Sequence, residues 1–101
     1  MAQSIGERID AEIANNKVMV FSKSYCPFAN ATKQLLQSKN IEFGVIELDQ
    51  DASGTDIQNA LKTKTGQSTV PNVFINGQHI GGNSDVQALN NSGELMNKVN
   101  A

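Results

Sequence analysis

The spacing of apolar residues predicts a helix followed by a buried strand at the start of the chain. Isoleucines recur at a helical interval over 5–13, and Ser4 with Glu7 forms a capping-box pattern before them. The pair Asn15-Asn16 is expected to end this helix. The run 18–21 is apolar without interruption and partly β-branched, which is typical of a buried strand.

The middle of the chain predicts a second helix, a second strand and a third helix. Pro27 suits the first position of a helix, which we expect to run to about Ser38. The stretch 43–48 indicates a strand, and the strand-helix-strand order favours a right-handed parallel crossover. A polar loop over 49–54 precedes a helix over 55–65 that Gly66 should cap.

The last third predicts a hairpin and a closing helix. Asn76-Gly77 is a strong two-residue hairpin signal, so 78–80 should pair antiparallel with 73–75. Gly81-Gly82 should end that strand. Asn83 or Ser84 is expected to cap a helix over 85–91, with a last helical piece ending near Val99. The elements together describe an α/β fold with an open mixed sheet covered by helices.

Length and charge exclude several classes of protein. With 101 residues the chain is expected to form one domain over 1–101. Eight basic and ten acidic side chains give a net charge of −2 without a basic block, which argues against nucleic-acid binding. No apolar run approaches the roughly 18 residues of a membrane span, and Met1–Asp10 lacks a signal-peptide core. We therefore expect a soluble cytoplasmic protein that does not bind membranes.

The single cysteine, Cys26, is the strongest candidate for chemistry. It follows a strand and precedes Pro27 at a helix start, where free amides and the helix dipole favour a thiolate, and Lys23 adds a positive charge. An inert buried cysteine is the alternative, but the flanking residues favour reactivity. His79 is the only histidine, and its strand position with no obvious orienting partner argues against a cysteine protease. One cysteine and one histidine also argue against a zinc site, so no metal is expected.

Three motifs in order resemble the glutaredoxin family, which has the thioredoxin fold. They are the strand and Cys-Pro-Phe turn over 20–28, the Thr-Val-Pro segment over 69–75, and the glycine pair with its helix start over 81–85. The resemblance covers nearly the whole chain. It implies a four-stranded mixed sheet with a parallel β1/β2 crossover and an antiparallel β-hairpin, flanked by helices. It also implies a glutathione-dependent thiol-disulfide oxidoreductase with glutathione as co-substrate.

The resemblance further implies a glutathione groove around the catalytic Cys26. Val70 would pair with the cysteinyl residue of glutathione, and cis-Pro71 would hold Val70 beside the thiol. Asp85 would bind the γ-glutamyl end, although it could instead only cap its helix. Gln58 would reach the glycine carboxylate, although it could instead only lie on a solvated helix face. The implied glutathione-binding residues are Lys23, Phe28, Gln58, Thr69, Val70, Pro71, Ser84 and Asp85.

Ala29 departs from the family pattern, because the dithiol members carry a second cysteine three residues after the first. The dithiol-like surroundings favour a cysteine-to-alanine replacement, whether introduced or natural. The resemblance then implies a monothiol route, with glutathionylated proteins as partners of a monomer. Two alternatives remain open: an iron–sulfur carrier, in which two chains and two glutathiones would supply the thiolates, and a catalytically idle adaptor. Pro27 argues against the carrier, because cluster-binding relatives tend to have glycine there.

Overall fold

Helices and strands alternate from residue 5 to residue 99 in the computed structural model, which describes residues 3–101. Their bounds, in chain order, are α1 (Ile5–Asn15), β1 (Val18–Ser22), α2 (Pro27–Ser38), β2 (Gly44–Glu47), α3 (Gly54–Thr65), β3 (Asn72–Ile75), β4 (Gln78–Gly81), α4 (Asn83–Ser92) and α5 (Glu94–Val99). Within the described range, no helix has both the length and the apolar character needed to cross a bilayer.

The four strands form one mixed sheet in the order β2-β1-β3-β4. Strand β2 runs parallel to β1 through the crossover helix α2, whereas β3 runs antiparallel to β1. Strand β4 folds back on β3 through the Asn76-Gly77 turn, whose two residues both have positive φ. The expected α/β fold with a parallel crossover and an antiparallel hairpin is therefore confirmed.

The two faces of the sheet carry two separate apolar cores. Side chains alternate along a strand, so Val18 and Val20 of β1 face one core, while Met19 and Phe21 face the other. The first core includes residues of α2, α4 and α5, namely Leu36, Val86, Leu95 and Val99. The second includes residues of α1 and α3, namely Ile9, Ile13, Ile57 and Leu61.

Strand β2 and helix α4 differ from their predicted bounds. Strand β2 covers only 44–47 because the parallel register with β1 stops at Ser22 opposite Glu47. The prediction that Asn83 or Ser84 caps a helix beginning at Asp85 is wrong, because Gly82 is the N-cap and α4 begins at Asn83. The Asp85 carboxylate accepts a hydrogen bond from the Gly82 N–H at 3.0 Å, which makes an earlier start possible.

Candidate active site

Strand directions bring four chain segments to one end of the sheet. The last residues of β1 lie beside the first residues of β3, with Phe21 opposite Asn72. The end of β4 lies there too, with Gly81 opposite Val73. Strand β2, parallel to β1, also ends on this side. The turn before α2, the segment before β3, the start of α4 and the loop after β2 therefore surround one region.

Cys26 occupies the N-cap of α2 and is half-buried. Its backbone N–H donates to the Lys23 carbonyl at 3.1 Å, and its own carbonyl accepts the first helical bond from Asn30 at 2.9 Å. Its side chain makes no capping hydrogen bond. The amides of Phe28 and Ala29 precede that first helical bond, so they are available to stabilise negative charge on the sulfur. Pro27 at the first helical position has no N–H to leave unpaired, as expected.

The turn that leads to Cys26 is tied to Asp49, a residue that the sequence interpretation missed. Asp49 accepts hydrogen bonds from the Ser24 amide at 2.9 Å and from the Ser24 hydroxyl. These bonds, with a smaller contribution from the charge of Lys23, hold the pKa of Asp49 below its ordinary value. Its place directly after a strand parallel to β1 is the signal that could have revealed it.

The segment before β3 places a carbonyl group beside the thiol. The Val70–Pro71 peptide is cis, as the resemblance implied. The Cys26 sulfur lies 3.8 Å from the Val70 carbonyl oxygen. Val70 also packs against the second core, so the position of its backbone is coupled to the fold. Cys26 and Val70 are thus brought into direct contact.

Two expected binding residues already have partners inside the chain. The Gln58 side-chain amide donates to the Ser68 carbonyl at 2.8 Å, so one of its two N–H groups is used to hold the loop before β3. The Asp85 carboxylate binds the Gly82 N–H. Gln58 therefore helps to hold the loop before β3, and Asp85 helps to hold the start of α4.

The start of α4 is fastened to α2. The Thr32 hydroxyl, fully buried on α2, donates to the Asn83 side chain at 2.9 Å. The first helical bond of α4 runs from the Val86 amide to the Gly82 carbonyl, so the amides of Ser84 and Asp85 precede it. Ser84 and Asp85 are exposed. This end of α4 therefore has free donors for an anion, and the Thr32–Asn83 contact was not anticipated from the sequence.

The side chains around Cys26 divide into exposed aromatics and a buried alanine. Tyr25 is 69% exposed and Phe28 is 65% exposed, so the residues that flank Cys26-Pro27 in the chain carry large exposed apolar surface. Ala29 is fully buried in the first turn of α2. Lys23 and Thr69 complete the expected set, the former half-buried and the latter exposed.

His79 has a partner, contrary to the expectation from sequence. Its Nε2 lies 3.2 Å from the Gln67 side-chain oxygen, and its ring centroid is 5.2 Å from that of Phe74 on the adjacent strand. The partner was missed because Gln67 is twelve residues away along the chain. Within residues 3–101, no group of three or more His, Cys, Asp or Glu side chains is arranged to hold a metal ion.

Comparisons with known proteins agree on one family. The family model described as Glutaredoxin matches residues 18–80. The chain is 46% identical to Glutaredoxin-1 of Rhizophagus irregularis over 97 residues, covering 96% of each chain. It is 52% identical over 84 residues to Glutaredoxin-C6 of Oryza sativa subsp. japonica, covering 83% of this chain and 75% of the relative. The crystal structure of a buckwheat glutaredoxin-glutathione complex superimposes with a TM-score of 0.93 at 38% identity, covering 95% of this chain and 87% of the other.

Proposed function

The chain belongs to the glutaredoxin family, and from that premise we propose that it is a glutathione-dependent thiol-disulfide oxidoreductase acting through Cys26. The observation that carries the proposal is the Cys26 thiol at the N-cap of α2, 3.8 Å from the Val70 carbonyl. A structurally similar buckwheat protein is described as a complex with glutathione, which supports the same ligand here.

Glutathione lies across Cys26 as an extended peptide in this proposal. Its cysteinyl residue pairs with the backbone of Val70, next to Thr69 and Pro71. Its γ-glutamyl carboxylate accepts from the free amides of Ser84 and Asp85 at the start of α4, and Asp85 attracts the ammonium. This arrangement is supported by the segments that the sheet brings to one end.

The remaining contacts involve the glycine end and the thiol rim. The Lys23 ammonium attracts the glycine carboxylate, and the free N–H of Gln58 donates to it. The exposed ring of Phe28 covers the reacting sulfurs from one side. The ligand therefore has a partner for each of its charged groups.

The reaction is a pair of thiolate exchanges. The Cys26 thiolate attacks the glutathione sulfur of a protein–glutathione disulfide, and the protein thiolate leaves and takes a proton from water. A second glutathione thiolate then attacks the glutathione sulfur bound to Cys26, which forms oxidised glutathione and releases the Cys26 thiolate. One free glutathione is consumed in all: its sulfur is oxidised to the disulfide level while the protein sulfur is reduced to a thiol. A thiolate that is stable at Cys26 is also a good leaving group.

The monothiol route needs no second cysteine, so it is compatible with Ala29. A cysteine at that position would open a dithiol route by displacing the partner from Cys26. With alanine, glutathione alone resolves the intermediate.

The proposal extends to partners and setting. Glutathionylated proteins are the substrates, and the role is deglutathionylation in cell redox homeostasis. We propose a monomer of one domain over 1–101. Apart from the aromatic residues near Cys26, the large apolar side chains that are exposed are Val45 on β2 and Met96 on α5. Because they lie on different elements, they argue against one large apolar interface. A cytoplasmic location is supported by the lone cysteine, since reducing compartments keep thiols free.

A coupled assay tests this function directly. The chain should reduce the mixed disulfide of glutathione and a small thiol, with turnover that depends on glutathione. Cys26→Ser, which keeps size and polarity, should abolish turnover while the melting temperature stays close to that of the parent. Absence of turnover in the parent chain, or turnover retained in Cys26→Ser, would overturn the proposal.

A further inference from the structure

The loop between α3 and β3 is held mainly by side-chain donors. The side-chain amide nitrogen of Gln67 donates to the Thr69 carbonyl at 3.0 Å and to the Pro71 carbonyl at 2.9 Å. These two carbonyls flank Val70, whose own carbonyl lies 3.8 Å from the Cys26 sulfur. One side chain therefore bridges the residues on either side of the one that contacts the thiol.

The orientation of the Gln67 amide is determined by these contacts. A carboxamide nitrogen has two N–H groups, and two carbonyl acceptors use both. The oxygen of the same carboxamide then faces His79 Nε2 at 3.2 Å, so that nitrogen must carry the proton. The His79 ring is supported in turn by Phe74.

Gln67 is also anchored through its backbone. Its N–H donates to the Thr65 hydroxyl oxygen at 3.0 Å, and that hydroxyl donates to the Leu61 carbonyl at 2.8 Å within α3. The base of the side chain is thus fixed to a helix of the second core, and its tip is fixed to the loop.

We propose that Gln67 is a positioning residue, which holds the Val70 backbone in register with the Cys26 thiol and is itself oriented by His79. The inference rests on the proposed function, because the Val70 backbone matters for turnover only if a glutathionyl group binds along it. Without the Gln67 hydrogen bonds, the loop holds the Val70 backbone in the binding geometry for a smaller fraction of the time. The apparent affinity for the glutathionyl group falls in proportion to that fraction. The reactivity of the thiol toward a small reagent depends on the start of α2 and should not change.

Gln67→Met is the primary test, since methionine has nearly the same shape and no donor. We expect KM for a glutathionylated peptide to rise about fivefold or more, because two side-chain hydrogen bonds are lost, one of them partly buried. The rate of Cys26 alkylation by iodoacetamide should stay within about twofold of the parent. Gln78→Met, on the exposed face of the neighbouring strand β4, is the matched control and should leave both quantities unchanged.

His79→Phe provides a second test that keeps the contact with Phe74 but removes the donor. His79→Phe should also raise KM for the glutathionylated peptide, but by a smaller factor than Gln67→Met. If the parent chain turns over and Gln67→Met has the same KM, the inference is wrong while the proposed function stands. An equal loss of alkylation rate in Gln67→Met would also overturn it, because the thiol itself would then have moved. Absence of turnover in the parent would instead refute the function.

Discussion

The sulfur of Cys26 lies 3.8 Å from the carbonyl oxygen of Val70, close enough for the thiol to donate a weak hydrogen bond. An ionised sulfur has no proton to donate, and the partial negative charge of the carbonyl oxygen would repel it. The thiolate would therefore turn toward the free amides of Phe28 and Ala29 at the start of α2. We expect an incoming glutathionyl group to pair with the Val70 backbone, which the sulfur contacts in its absence.

Cys26 should react with iodoacetamide at pH 7 faster than free glutathione does, because the helix start and Lys23 stabilise the thiolate. Lys23→Gln should slow this reaction about two- to fivefold, the effect of one partly exposed charge. The rate is measured by mass spectrometry of timed samples. Lys39→Gln removes the same charge at the far end of α2 and should have no effect. An unchanged alkylation rate in Lys23→Gln would mean that the start of α2 alone accounts for the raised reactivity of Cys26.

Two substitutions at Asp85 separate ligand binding from helix capping. Asp85→Asn keeps an acceptor for the Gly82 N–H but removes the charge that attracts the γ-glutamyl ammonium. It should raise KM for a glutathionylated substrate about fivefold or more, with a small change in melting temperature. Asp85→Ala should raise KM similarly and also lower the melting temperature. If Asp85→Asn leaves KM unchanged, the residue only caps α4.

Local patterns were enough to predict most elements of the fold. The uninterrupted apolar run of β1, the Asn76-Gly77 turn and the proline at the start of α2 each act over a few residues, so the local sequence reveals them. The placement of β1 between β2 and β3 is a long-range property, which the sequence interpretation did not specify. The predicted start of α4 was wrong because the Asp85 side chain, within the helix, accepts a hydrogen bond from the Gly82 N–H and so favours Gly82 as the N-cap. The sequence interpretation expected the cap at Asn83 or Ser84.

The candidate site was only partly predictable for the same reason. Cys26, Val70 and Pro71 stand in motifs that resemble a family, so their proximity could be anticipated. The contacts of Asp49 with Ser24 and of Gln67 with His79 join residues 25 and 12 positions apart. A glutamine in a loop has no local signature, and the position of Asp49 after a strand becomes a signal only once that strand is placed parallel to β1.

Gly54→Ala should strongly destabilise the chain. A Cβ atom at position 54 would lie 1.8 Å from the Leu48 carbonyl oxygen, a backbone atom that cannot move without displacing the end of β2. We expect a loss of about 3 kcal/mol or more in the free energy of unfolding, measured in urea. Gly6→Ala in α1 is the control, since its Cβ would meet nothing within 4 Å. It should stabilise the chain by up to about 1 kcal/mol. Similar effects of both changes would contradict the crowding at Gly54.

Asp51 should make the stability depend on acid pH. Its carboxylate accepts two bonds from the Arg8 guanidinium, at 3.0 and 2.6 Å, and one from the Ser53 amide at 2.9 Å. The Arg8 bonds first, and then the Ser53 bond, lower the pKa of Asp51 to about 2. Since the unfolded value is about 3.9, this stabilisation is present above that pH and is lost as pH falls toward 2.

The measurement for Asp51 is the melting temperature of the parent and of Asp51→Asn between pH 2 and pH 7. The parent should melt higher at neutral pH, and the difference should close between about pH 4 and pH 2. Asp10→Asn, which breaks the more exposed pair with Lys64, should give a smaller difference throughout. A difference for Asp51→Asn that does not vary with pH would refute the role of the ion pair.

Ala29 should make the Cys26–glutathione disulfide accumulate. In a chain with cysteine at position 29, the second thiol would share one helical turn with Cys26 and attack it at high effective concentration, expelling glutathione. The buried methyl group of Ala29 cannot attack the disulfide, so glutathione is not expelled in this way. After treatment with oxidised glutathione, the intact mass should rise by about 305 Da, and reductant should reverse the change fully. Ala29→Cys should instead lose two hydrogens and carry little adduct, while Ala29→Ser, of similar size but without a thiol, should retain it. Equal adduct in Ala29→Cys and the parent would show that position 29 does not resolve the intermediate.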